Sequence, residues 1–161
     1  MRRATSVRSK LNWKAQEAKS TVTLKFEDRF RRRVRLLDDD GVAFLLDLSH
    51  ATHLNDGDAL SLDEGGIILI YAATEDVLEV SGDDAAHLAR LAWHIGNRHT
   101  PMEVLGNDRL RIQYDHVLQH MLEGLGAVTT RSNAAFSPEH GAYDNQNQTG
   151  ADHGHVHSHH G

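Results

Sequence analysis

The sequence predicts an α+β chain: a small N-terminal antiparallel β domain, then a unit in βαββαβ order, then a disordered tail. Three observations carry this. Residues 26–37 alternate with the two-residue period of a half-buried strand, Arg29, Arg31, Arg33 and Arg35 on one face, Phe30, Val34 and Leu36 on the other. Two later groups, Leu88, Leu91, Ala92 and Ile95, then Val117, Leu118, Met121, Leu122 and Leu125, recur at helical spacing. From Asp144 onward the hydrophobic pattern stops.

The elements follow in order. Asp38-Asp39-Asp40-Gly41 supplies a turn after the first strand, and residues 42–48 form its partner. Asn55-Asp56-Gly57-Asp58 and Asp63-Glu64-Gly65-Gly66 are further turns, each before a strand, at 59–62 and 67–71. Residues 77–80 are a short strand. Asp83 or Asp84 caps a helix that Gly96-Asn97 ends, because both residues tolerate the left-handed conformation. Residues 102–105 and 110–113 form a hairpin around Gly106-Asn107-Asp108. Asp115 caps the second helix, and 127–131 is the last strand. This order is the split, ferredoxin-like plan. The expected boundaries are a disordered basic leader at 1–20, the β domain at 21–75, the ferredoxin-like unit at 76–143 and a flexible tail at 144–161.

At 161 residues the chain has room for one domain or two small ones. It has no cysteine, which excludes disulfides, thiolate-bound zinc, iron–sulfur clusters and a thiol nucleophile. Its longest apolar run, 67–73, is too short to span a bilayer. Charge is uneven. Residues 1–35 hold twelve Lys/Arg against three acids (+9), and 36–161 hold five against twenty (−15). Met1 to Ser20 is basic but has no apolar stretch, so it is not a secretory signal and reads as the leader of a cytoplasmic protein.

The thirteen histidines are the outlier, and five lie in the last nine residues: His153, His155, His157, His159 and His160. A neutral imidazole offers a nitrogen lone pair of intermediate softness, suited to nickel, copper and zinc. Single-residue spacers on a flexible chain let several such rings wrap one ion. A purification tag would be an uninterrupted run, so these histidines read as native ligands for a transition metal, Ni(II), Zn(II) or Cu(II), and the tail alone does not name which.

Inside the fold, His94 stands in the last turn of the first helix and His99 in the connection before Thr100-Pro101. His116 and His120, one helical turn apart, could chelate, or with Glu123 form an ordinary polar face. His87 shares an outer face with Arg90 and His94 and reads as solvated. Nothing pairs His50 and His53 with the others. The arginines of residues 29–35 lack interleaved aromatics for base stacking, which argues against nucleic acid. Arg29, Arg31 and Arg33 better suit an acidic protein surface. No phosphate loop, Gly-x-Ser-x-Gly or His-Glu-x-x-His occurs, and no carboxylate is poised as a base beside the histidines, so the chain does not read as an enzyme.

The stretch His94-Ile95-Gly96-Asn97-Arg98-His99-Thr100-Pro101 closely resembles the UreE urease accessory proteins. So do Asp115-His116-Val117-Leu118 and Phe136-Ser137-Pro138-Glu139-His140-Gly141-Ala142-Tyr143. The resemblance covers about residues 21–143, and the His-rich end is similar to the tail of many members. It implies a nickel metallochaperone: a β domain suited to peptide binding, and a ferredoxin-like domain forming a homodimer. His99 matches the family's ligand at the dimer interface, while His94 and His116 match metal-associated positions of some members. Urease and its accessory complex, including the GTPase accessory protein, are the implied recipients; passive nickel or zinc storage is the alternative. Two departures stand out. Tyr114 occupies the place of a second histidine found in some relatives, and Leu48-Ser49-His50-Ala51 replaces a Pro-Arg-Gly type of turn.

Overall fold

The computed structural model describes residues 1–106 and 108–141. It is α+β, with two sheets and two α-helices. The first unit is a six-stranded sheet built from β1 (Arg2–Arg8), β2 (Ala18–Leu24), β3 (Phe30–Leu37), β4 (Ala43–His53), β5 (Ala59–Leu62) and β6 (Ile67–Ala72). Its strand order is β2-β6-β5-β1-β4-β3. Alternation along the strands places Ile68 and Ile70 of β6, Phe44 and Leu46 of β4 and Leu60 of β5 in one apolar core.

Two expectations are corrected here. The basic opening is not disordered as expected, because Arg2–Arg8 forms β1 inside the sheet between β4 and β5, with Ala4 fully buried. Nor is the sheet purely antiparallel, since β1 runs parallel to β4 and β2 parallel to β6. The reason is electrostatic as well as topological. The positive start is neutralised by acids from farther along, Arg2 on Asp38 at 2.7 Å and Arg3 on Asp47 at 2.5 Å. Part of the charge asymmetry is thereby internal complementarity, between Arg2, Arg3 and Arg33 and the acids Asp38 and Asp47.

The second unit runs β7 (Thr74–Ser81), α1 (Ala85–Asn97), β8 (Glu103–Leu105), β9 (Arg109–Gln113), α2 (His116–Gly124) and β10 (Val128–Ala135). Its sheet order is β10-β7-β9-β8, with every pair antiparallel. Leu78, Val80, Leu110 and Ile112 of the strands pack against Leu91, Ile95, Leu118 and Leu122 of the helices. Both caps are carboxylates: Asp84 accepts from the His87 amide, and Asp115 from those of Val117 and Leu118. Val117 and Leu125, expected in the core, are exposed instead, so α2 buries a narrower stripe than its spacing suggests. Among the described residues no helix is long and apolar enough to cross a membrane.

The units meet along the β6–β7 connection. Ala73 donates its amide to the Leu24 carbonyl, Glu75 accepts from the Phe26 amide, and Phe26 packs edge-on to Phe136 at 5.4 Å.

Candidate metal centre

α1 ends where the chain needs a sharp reversal into β8. Arg98, the C-cap residue, and His99 donate their amides to Ile95 and Gly96 carbonyls, closing the last turn. His99 then takes the left-handed conformation, φ 56°, and is the single non-glycine with positive φ among the described residues. That region costs an L-residue with a Cβ about 1–2 kcal/mol. The result is an exposed imidazole at a rigid corner, clear of the core. Non-glycine residues kept in such a conformation concentrate at functional sites.

His94, one turn earlier, is half-buried and stands edge-on to Trp93 at 5.0 Å, whose indole is 62% exposed. His116 opens α2 and is exposed, as is His120. Glu123 accepts hydrogen bonds from Thr129 and Gln119. Among the described residues, no three His, Asp or Glu side chains are grouped closely enough to hold an ion within one protomer. His94, His99 and His116 therefore do not make a closed ligand set by themselves. His153, His155, His157, His159 and His160 lie outside the described residues.

The arginine face is corrected in one member. Arg29 is 5% exposed, so it does not share an open face with Arg31 and Arg33. Its guanidinium donates to the Phe136 carbonyl. Burial pushes its pKa down, while the charges of Glu75, Asp56 and Glu103 pull the other way. Arg31 and Arg33 are exposed on β3, an edge strand, and pair with Asp28 at 2.8 Å and Asp47 at 3.8 Å. The segment Leu48-Ser49-His50-Ala51 lies in a bulge: Arg33 faces Asp47 and Arg31 faces Thr52, leaving only Arg32 opposite the residues between.

Three histidines have more structure around them than periodicity revealed. His87 is not merely solvated: its Nδ1 accepts from the Asp83 amide and its Nε2 donates to the Leu125 carbonyl, linking the start of α1 to the end of α2. His53 and His140, in different units, lie ring against ring at 4.1 Å. No local pattern could reveal that pair, because it forms only when the segment after β10 folds back over the end of β4.

Known proteins bear on this arrangement directly. Residues 3–73 match the family model described as the UreE urease accessory protein, N-terminal domain, and 75–161 match its C-terminal domain. A urease accessory protein UreE of Rhodopseudomonas palustris (strain HaA2) is 49% identical over 89% of this chain, which spans 66% of that relative. The UreE of Chelativorans sp. (strain BNC1) is 48% identical over 99% of both chains. That of Ruegeria pomeroyi is 51% identical over 88% of this chain and 89% of its own. On both family models and on these relatives, the chain belongs to the UreE urease accessory protein family.

Proposed function

We propose that the chain is a nickel metallochaperone acting in urease maturation, which captures Ni(II) and passes it to the complex that assembles the urease metal centre. The single observation that carries this reading is His99, an exposed imidazole fixed at a left-handed corner inside a segment matched by the family model. In this reading the second unit is ferredoxin-like and pairs with a second copy, so that two His99 rings meet across a two-fold axis. That gives an open, incomplete ligand set. His94 and His116 lie on the two helices nearby in the chain order, and the tail histidines supply further imidazoles at high local concentration.

The chemistry suits a carrier. Two fixed nitrogens hold the ion, and the additional ligands dissociate one at a time as a recipient's own ligands replace them. Family membership supports a urease-linked recipient; the exposed Arg31 and Arg33 on the β3 edge suit an acidic partner surface. The test is titration calorimetry with nickel on the full chain and on His99→Ala. The tightest site, one per dimer, should vanish while the dimer persists by light scattering. Unchanged tight binding in the variant would overturn the assignment.

A further inference from the structure

β3 is an outer strand of the six-stranded sheet, paired on one side with β4 and on the other with no strand among the described residues. In an antiparallel pair every second residue turns its amide and carbonyl away from the partner. The open side of β3 therefore carries a row of backbone donors and acceptors that no strand satisfies. Edges kept from pairing are shortened, interrupted by proline or covered. β3 has eight residues, no proline, and six of its residues exposed. Charge alone guards it.

That charge is arranged, not scattered. Val34 and Leu36 pack against the core of the first unit, so alternation puts Arg31, Arg33, Arg35 and Leu37 on the outer face. Three guanidinium groups thus recur about every 6.8 Å along one strand face. The protomer meets their charge poorly. Arg31 and Asp28 are 2.8 Å apart but both exposed, a pairing worth little. Arg3 holds one oxygen of Asp47 at 2.9 and 2.5 Å, whereas Arg33 stands 3.8 Å from the other. Arg35 is exposed and has no ion pair among the described residues. Phe30 and Leu37, at the two ends of the strand, are also exposed.

These features select the occupant. A second copy of β3 would set like charges opposite one another, which is destabilising, so the edge does not suit self-pairing. An extended segment with Asp or Glu at every second position presents its carboxylates on one face at the same repeat. Side chains directly opposite across a strand pair lie about 5 Å apart at Cβ, within reach of an arginine fork. That planar fork matches a carboxylate with two hydrogen bonds, which lysine cannot do. Main-chain bonds then give affinity and alternate side chains give specificity. Between the arginines stand Arg32 and Val34, which offer no ring for a nucleic-acid base to stack on.

We propose that the open edge of β3 binds an extended acidic segment of a partner protein as an added strand, with Arg31, Arg33 and Arg35 reading acids at alternate positions. The inference deepens the reading of Arg31 and Arg33 as a surface for an acidic partner, and rests on it. It does not involve His99, which belongs to the other unit.

The test uses the full chain, isotope-labelled, and two short synthetic peptides of identical composition. One alternates Glu with Val and Thr; the other gathers its Glu residues in one block. The alternating peptide should bind and slow hydrogen exchange about tenfold or more at the β3 amides that face the open side. Reversing two charges together, Arg33→Glu with Arg35→Glu, should weaken that binding about tenfold or more, while β4 amides keep their protection and report an intact sheet. Equal affinity for the two peptides overturns the reading of alternate positions. Binding without β3 protection keeps the acidic-partner surface and overturns strand addition. Tighter binding of a single-stranded RNA than of the alternating peptide overturns the assignment to an acidic protein segment. If neither peptide binds, the added strand and the acidic-partner surface fall together, whatever nickel calorimetry shows at His99.

Discussion

Arg29 donates its buried guanidinium to the backbone carbonyl of Phe136, joining the start of β3 to the segment that follows β10. The bond ties the first sheet to the far end of the second unit, over the edge-on contact of Phe26 with Phe136. Replacing Arg29 by Met removes the donor and leaves that carbonyl buried without its partner. The expected loss is about 2 kcal/mol in urea unfolding. Nickel stoichiometry should not change, because Arg29 is buried and its guanidinium is engaged with the backbone, away from His99.

Acid should weaken the first unit through Asp38. Its carboxyl pKa is held down at about 2, first by the hydrogen bond from Arg2 and then by the Val42 amide, while burial opposes both. A carboxylate whose pKa is depressed on folding stabilises the fold above its ordinary value near 3.8, and that stabilisation is lost as pH falls through the folded value. Asp38→Asn should therefore be less stable than wild type near neutrality. The gap should close between about pH 4 and pH 2. Thermal melts across that range check it; a gap independent of pH contradicts it.

At position 99 side chain and backbone make opposite demands. Glycine fits φ 56° without strain, whereas alanine keeps the cost of a Cβ there. His99→Gly should be about 1 kcal/mol more stable than His99→Ala. Both should lose the tightest nickel site equally, as chemical denaturation and calorimetry on the pair of variants will read.

The second unit was the more legible half. Asp84 and Asp115 cap the helices from the positions that short acidic side chains before apolar spacing indicate; α1 does end at Asn97, but the left-handed residue beyond it is His99, not Gly96 or Asn97. The first twenty residues were opaque because β1 has almost no apolar signature. Only Ala4 is fully buried in it, and its place depends on parallel pairing with β4 some forty residues on. Arg29 misled for a related reason: alternation assigns it a face, but the 3₁₀ turn at Phe26–Asp28 breaks the strand before it. His99 was legible as an exposed connection residue, not as a left-handed one. His53 and His140 were invisible until the chain had folded.

The histidines beyond residue 144 should add capacity, not the tightest site. Deleting 145–161 removes five imidazoles. The expected outcome is fewer nickel ions per dimer with one site kept, as measured by equilibrium dialysis. Loss of every site would place the main ligands in the tail.

The most direct measurement is anomalous scattering at the nickel edge from crystals of the full chain grown with nickel. The account predicts a peak on a two-fold axis, within bonding distance of His99 from each of two protomers. A peak elsewhere with none near His99, or a monomer with that imidazole facing only solvent, would contradict it.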